Sequence, residues 1–137
     1  LERVLMEASG LADGGKVLVV FGCGGDRDRA KRPLMGAAAA RLADIAVVTS
    51  DNPRHEDPLS IIEQVTAGCA GVVPRRAALL VEPDRRLAIA LALDQAHSGD
   101  VVVLAGKGHE SFQQLGDRQV PFDDRAVALE LLAQRKA

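Results

Sequence analysis

Apolar positions along the chain fall into two alternating kinds of run, and that alternation predicts the elements. Leu1, Val4, Leu5 and Ala8 follow the spacing of one helical face. Lys16 to Phe21 is short, β-branched and nearly all apolar, the pattern of a strand covered on both faces. Pro33 stands where a first helical position belongs, and Leu34 to Ala43, rich in Ala and Leu, predicts a helix. Ile45 to Thr49 reads as the next strand. After the turn cluster Ser50 to Arg54, Asp57-Pro58 supplies an N-cap followed by proline at N1, opening a helix to about Gly68. Leu79 to Val81 predicts a strand, and Pro83 to Ala96 a helix with Leu87, Leu91 and Leu93 among its apolar positions. Val101 to Ala105 predicts another buried strand. Ser111 to Phe122 reads as a hairpin around Gly116-Asp117, and Asp123 or Asp124 caps a final helix through Gln134.

Helices alternating with short buried strands imply an α/β fold: a Rossmann-like, doubly wound, mostly parallel sheet with helices on both faces, here with a small C-terminal hairpin. The 137 residues fit one domain, 1–137. Because a helical face begins at the first residue, which is Leu, the chain is expected to be excised from a longer protein or to carry a processed N-terminus.

Composition narrows the function. A formal charge of -2 offers no general attraction to a polyanion, and 2% aromatic residues build no base-stacking platform, so nucleic acid is not an expected partner. No apolar run approaches the roughly 18 residues of a membrane span, and the N-terminus lacks a signal-peptide layout, so no membrane and a cytoplasmic location are expected. Cys23 and Cys69 match neither a CxxC pair nor a zinc knuckle and are read as reduced thiols.

A doubly wound sheet binds ligands at the carboxyl ends of its strands. Three loops belong there. The first, Gly22-Cys23-Gly24-Gly25-Asp26-Arg27-Asp28-Arg29, fails the dinucleotide fingerprint because Arg27 stands where the third glycine belongs, and no P-loop Gly-Lys-Ser/Thr follows. The second, Asp51-Asn52-Pro53-Arg54, is a proline-stiffened turn able to aim a guanidinium at a carboxylate. The third, Gly106-Lys107-Gly108-His109-Glu110, combines close backbone approach with a carboxylate suited to an ammonium. His55 reads as an exposed loop residue, His97 as capping helix-end carbonyls and His109 as structural. The three histidines make a poor metal set. Two guanidiniums and a carboxylate around glycine-exposed backbone suit a small zwitterion, an amino acid above all.

Phe21-Gly22-Cys23-Gly24-Gly25-Asp26-Arg27-Asp28, Asp51-Asn52-Pro53-Arg54 and Gly106-Lys107-Gly108-His109-Glu110 closely resemble three segments of the Mur ligases. The likeness covers essentially the whole chain and is closest to the C-terminal domain of the diaminopimelate-adding members. The Asp-Asn-Pro-Arg turn is its most specific part, since lysine-adding relatives usually lack that arginine. The resemblance implies that Arg27, Asn52 and Arg54 contact carboxylates of meso-diaminopimelate, that the Gly106 backbone and Glu110 hold its distal ammonium, and that Asp51 and Pro53 complete the turn. It further implies an ATP-dependent amide ligase of peptidoglycan synthesis, with ATP and Mg2+ bound mainly by central and N-terminal domains that do not map onto this chain. No cofactor is expected on this chain alone, which is expected not to catalyse. A lysine-adding ligase, a stand-alone amino-acid or nucleotide-binding module and a structural α/β domain remain the alternatives.

Overall fold

Val17, Val19 and Phe21 pack into one apolar cluster, while Leu18 and Val20 between them pack into another. A strand alternates its side chains between two faces, so both faces of this one are covered. The computed structural model describes residues 1–12, 14–107 and 110–135. Its elements are α1 (Glu2–Leu11), β1 (Val17–Phe21), α2 (Lys31–Leu42), β2 (Ile45–Val48), α3 (Pro58–Ala70), β3 (Ala78–Val81), α4 (Arg85–Gln95), β4 (Val101–Ala105), β5 (Phe112–Leu115), β6 (Arg118–Pro121) and α5 (Asp124–Arg135). Four strands form a sheet in the order β3-β2-β1-β4, with every neighbouring pair parallel. Leu5, Ala39, Ile61 and Val65 of α1, α2 and α3 cover one face, and Ala88, Ile89 and Leu131 of α4 and α5 cover the other. This is the doubly wound α/β architecture that the alternation predicts.

The hairpin forms at the predicted place. β5 and β6 pair antiparallel, with Leu115 opposite Arg118, and Gly116 supplies the left-handed conformation at φ 61°. It also docks on the second loop: Arg54 N donates to Gln114 O (3.0 Å) and Gly116 N to Arg54 O (2.8 Å).

Several boundaries differ from expectation. α2 starts at Lys31, so Pro33 is its third residue rather than its first. Backbone bonds from Lys31 N to Asp28 O and from Arg32 N to Arg29 O lead the chain in earlier, and proline is tolerated because the first-turn N–H groups have no intrahelical acceptor. α4 starts at Arg85 rather than Pro83, because the Asp84 side chain accepts from Leu87 N and makes Asp84 the N-cap. Leu87 is exposed, whereas Leu91 and Leu93 pack against the second cluster. β4 is half-buried rather than buried, because it is an edge strand. α3 runs on past Gly68 to Ala70. At the last helix the alternatives resolve: Asp123 Oδ1 accepts from Ala126 N, while Asp124 is the first helical residue and turns to another partner.

Candidate functional site

β1, β2 and β4 run parallel, so the loops leaving them share one edge. The chain runs outward from β1 to β2 and β3 and then crosses back to β4 on the other side of β1, which makes the gap between β1 and β4 the switch point. A cleft of about 310 Å3 opens there, lined by Gly22 to Gly24, Arg27, Asp28, Lys31, Met35, Asp51 and Gly106. All three loops contribute to it.

The loops are locked together by backbone. Gly25 N donates to Asn52 O (2.7 Å), and a Cβ on Gly25 would sit 1.8 Å from Pro53 O, so no larger residue permits that approach. Gly106 has φ 108°, and a Cβ there would meet Gly22 O at 3.3 Å. Glycine is required here for both conformation and space.

Arg54 takes a left-handed backbone, φ 53°, uncommon for a bulky side chain and enforced by its two bonds to the hairpin. Its Nη1 donates to Gly25 O (2.9 Å) and Asn52 O (3.4 Å). A Cβ on Gly24 would lie 2.8 Å from that Nη1 and 3.4 Å from Arg27 Cγ, so Arg27 and Arg54 flank one exposed stretch of backbone. Arg27 is exposed and lines the cleft, and Arg54 approaches it through Gly24. Asn52 and Pro53 are buried beneath, where Asn52 Oδ1 accepts from Gln114 N (2.9 Å) and from Lys107 Nζ (3.3 Å).

Asp51 forms the cleft's floor. Its Oδ1 is buried without a hydrogen-bond partner among the described residues, and Lys107 Nζ stands 3.6 Å away. Burial pushes the Asp51 carboxyl above the usual range, against the opposing pull of Arg85 and Lys107. Burial likewise pulls the Lys107 ammonium below its usual range, with Asp51 opposing. Glu110 is half-buried, bonds through its N–H to Lys107 O (3.0 Å), and adds its field to both groups; it does not line the cleft. Gly108 and His109 lie outside the described residues.

Three buried cations support this edge that sequence reasoning did not single out. Arg32, fully buried, donates to Glu56 Oε1 (3.1 Å), Glu56 Oε2 (2.8 Å), Gln64 Oε1 (3.0 Å) and Gly24 O (3.0 Å). Glu56 in turn accepts from Asp26 N, and the Arg32 guanidinium holds its carboxyl down at about 2. Arg85 grips both oxygens of Asp124 at 2.7 Å and donates to Ser50 O (3.0 Å) and Ala105 O (3.2 Å), joining the ends of β2 and β4. Lys107 is the third, with a further bond to Phe112 O. Lys107 falls inside the third loop and Arg32 just past the first, at the start of α2, but nothing in their spacing distinguishes a buried cation from a solvated one.

His55 is exposed, as expected, yet its ring stands between Asp26 (Nδ1–Oδ2 3.1 Å) and Asp117 (Nε2–Oδ1 2.8 Å). His97 does not cap α4 with its ring: its backbone N–H donates to Asp100 Oδ2 (2.8 Å), in a turn that follows the helix. Cys23 and Cys69 are free and buried, and burial pushes the Cys23 thiol up to about 11. Among the described residues no cluster of His, Cys, Asp and Glu is placed to hold a metal, and no helix is long and apolar enough to cross a membrane.

Comparison with known proteins places this geometry. The family described as Mur ligase, glutamate ligase domain, matches residues 1–108. A protein of Solibacter usitatus described as UDP-N-acetylmuramoyl-L-alanyl-D-glutamate--2,6-diaminopimelate ligase is 54% identical over 132 residues, which are 96% of this chain and 26% of that protein. A ligase of the same description from Thermosynechococcus vestitus is 56% identical over 88% of this chain and 24% of its own length. A solved structure of such a ligase superposes with a TM-score of 0.82 at 38% identity, covering 99% of this chain and 28% of the other. The chain thus spans about a quarter of the length of the relatives it matches. With a family match over most of its length and relatives above half identity, the chain belongs to the Mur ligase family.

Proposed function

We propose that residues 1–137 are the C-terminal, amino-acid-binding domain of an ATP-dependent ligase that adds meso-diaminopimelate to UDP-N-acetylmuramoyl-L-alanyl-D-glutamate in peptidoglycan synthesis. The observation that carries this is the cleft lined by Arg27, Asp51 and Gly106, with the Arg54 guanidinium brought beside Arg27 at Gly24. Charges of both signs around a small hollow favour a zwitterion, and two guanidiniums favour one with an additional carboxylate.

In this reading Arg27 and Arg54 donate to the distal carboxylate. Only Nη1 of Arg54 is engaged among the described residues, which leaves the rest of its fork for the ligand. Asn52 turns its Oδ1 to Lys107 and Gln114, so its amide nitrogen is the end that meets a carboxylate. The Gly106 carbonyl and Glu110 receive the distal ammonium, while Asp51 and Pro53 hold the turn. The chain's contribution to the reaction is to hold the incoming amine in register for attack.

In the family reading, ATP and Mg2+ would supply the activation of the acceptor carboxylate. The residues here do not fit them, since the first loop lacks the P-loop lysine and no metal-ligand cluster exists among the described residues. The proposal therefore assigns both to domains preceding this one, and places the whole enzyme in the cytoplasm.

The test is competition between diaminopimelate and lysine in the full-length ligase carrying Arg54→Ala. Lysine has no distal carboxylate, so Arg54 would be desolvated without a partner, a loss of roughly 1.5–3 kcal/mol for a charged hydrogen bond. Preference for diaminopimelate should fall about tenfold or more, as such an energy implies. An unchanged preference overturns the reading.

A further inference from the structure

The His55 ring faces a carboxylate oxygen with each nitrogen: Nδ1 is 3.1 Å from Asp26 Oδ2 on the glycine-rich loop, and Nε2 is 2.8 Å from Asp117 Oδ1 at the hairpin turn. An ionised carboxylate only accepts, and a neutral imidazole carries only one N–H. Both contacts are attractive at once only for the imidazolium. The geometry is that of a doubly donating, charged ring that reaches Asp117, 62 positions away, with one nitrogen and Asp26, 29 positions away, with the other.

What it bridges matters. Arg54, directly before His55, has φ 53°, and Asp26 has φ 52°. Two non-glycine residues in the left-handed region therefore flank the contact, one on each loop. The hairpin holds Arg54 through Gln114 O and Gly116 N, and Asp117 is the next residue of that turn. A tie from Asp117 through His55 to Asp26 closes the ring of contacts around Arg54.

We propose that His55 is a protonation-dependent positioning residue, clasping the hairpin tip to the glycine-rich loop and so keeping the Arg54 guanidinium against Gly24 and Gly25. Its effect on substrate rests on the diaminopimelate reading above; the clasp itself does not. The charged groups facing it are few. On the glycine-rich loop stands Asp26; on the hairpin, Asp117 with Arg118 beside it; on its own turn, Arg54, whose Nη1 is turned to Gly25 O, and Glu56, whose charge Arg32 (2.8 Å) and Arg29 (3.2 Å) absorb. The two aspartates, Asp117 foremost, raise the ring's proton affinity above its usual 6.5. The clasp is fully present below that value and is lost as the pH rises through the raised one. Because the His55 and Asp117 side chains are 62% and 95% exposed, its effect is small and salt-sensitive.

The experiment uses the full-length ligase selectively labelled in histidine. The His55 imidazole should titrate above 6.5 by NMR, and Asp117→Asn should return it toward 6.5. In steady state, KM for diaminopimelate should rise about threefold as the pH passes through the His55 titration, while KM for ATP stays flat. His55→Gln should erase that pH dependence. A His55 titration at or below 6.5, or the same KM profile in His55→Gln, overturns the proposal. If the ligase does not use diaminopimelate, the functional reading falls, and the titration together with hydrogen exchange of hairpin amides 112–120 below and above it still decides the clasp: protection that ignores His55 protonation overturns it.

Discussion

The Lys107 ammonium donates to Asn52 Oδ1 across 3.3 Å, from beneath the turn that carries Arg54. Gln114 N donates to the same oxygen, so the orientation of the Asn52 amide is set by two donors that belong to the fold. A buried cation thus decides which end of a neighbouring side chain is offered to a ligand.

Lys107→Met keeps the length of that side chain and removes its charge. Asn52 Oδ1 then loses one donor, Phe112 O loses another, and Asp51 keeps only Arg85 as a nearby cation. The expected loss is about 2 kcal/mol of stability, the desolvation cost of the abandoned polar groups. Urea denaturation measures it. In the ligase the same variant should raise KM for diaminopimelate more than KM for ATP, since Asn52 is then held by Gln114 N alone.

Gly25→Ala and Gly10→Ala should move stability in opposite directions. A Cβ at Gly25 would stand 1.8 Å from Pro53 O, a contact with backbone that no rotamer relieves, so the first and second loops must part. The cost should be at least about 2 kcal/mol, as for other overpacked positions. Gly10 lies within α1 with nothing near its missing Cβ. There alanine should stabilise by about 0.8 kcal/mol through helix propensity alone. Thermal unfolding of the two variants beside the parent checks the pair, and equal signs would contradict the loop contact.

Glu56 gives the acid limb of stability a sign. The Arg32 guanidinium foremost, then the Asp26 N–H, hold its carboxyl at about 2, below the usual 4.5. Its native pKa is depressed, so its contribution is fully present above the unfolded value near 4.5 and is lost as the pH falls toward about 2. Glu56→Gln should flatten the stability profile across that window. Denaturation midpoints between pH 2 and 5 would show an unchanged slope if Glu56 were not the titrating group.

These contacts also mark what a sequence can and cannot disclose. β1 and β2 were legible because each is a short run with both faces covered, which leaves no polar position to confuse the period. Val101 to Ala105 has the same appearance but lies at an edge, and an apolar run does not reveal how many neighbours a strand has. Arg27, Asp51 and Gly106 were legible as cleft residues because each follows a strand, Arg27 and Gly106 in loops whose glycines signal close approach and Asp51 in a turn stiffened by Pro53. Arg32, Arg85 and Lys107 were not. Their partners Glu56, Asp124 and Asn52 lie 24, 39 and 55 positions away, and local pattern carries no information over such separations. Leu87 misled in the opposite sense: its spacing fits an apolar face, yet it is exposed between Arg85 and Ala88, the residues by which the first turn of α4 is buried.

Asp124→Asn tests the Arg85 pair, whose partners lie 39 positions apart. Arg85 is buried and bonds both Asp124 oxygens at 2.7 Å, while its remaining donors reach Ser50 O and Ala105 O at the ends of two strands. Removing the carboxylate charge leaves a guanidinium in the interior without its hydrogen-bonded counter-ion, with Asp51 as a more distant one, and costs about 3 kcal/mol or more where a buried pair is broken from one side. Replacing both partners together, Arg85→Met with Asp124→Leu, should cost less than Asp124→Asn alone, because the stranded charge goes with its partner. Urea denaturation of the three chains decides it. Should the double variant prove the least stable, the weight would lie on the bonds to Ser50 O and Ala105 O, and Arg85 would be fastening β2 to β4 beneath the cleft rather than neutralising Asp124.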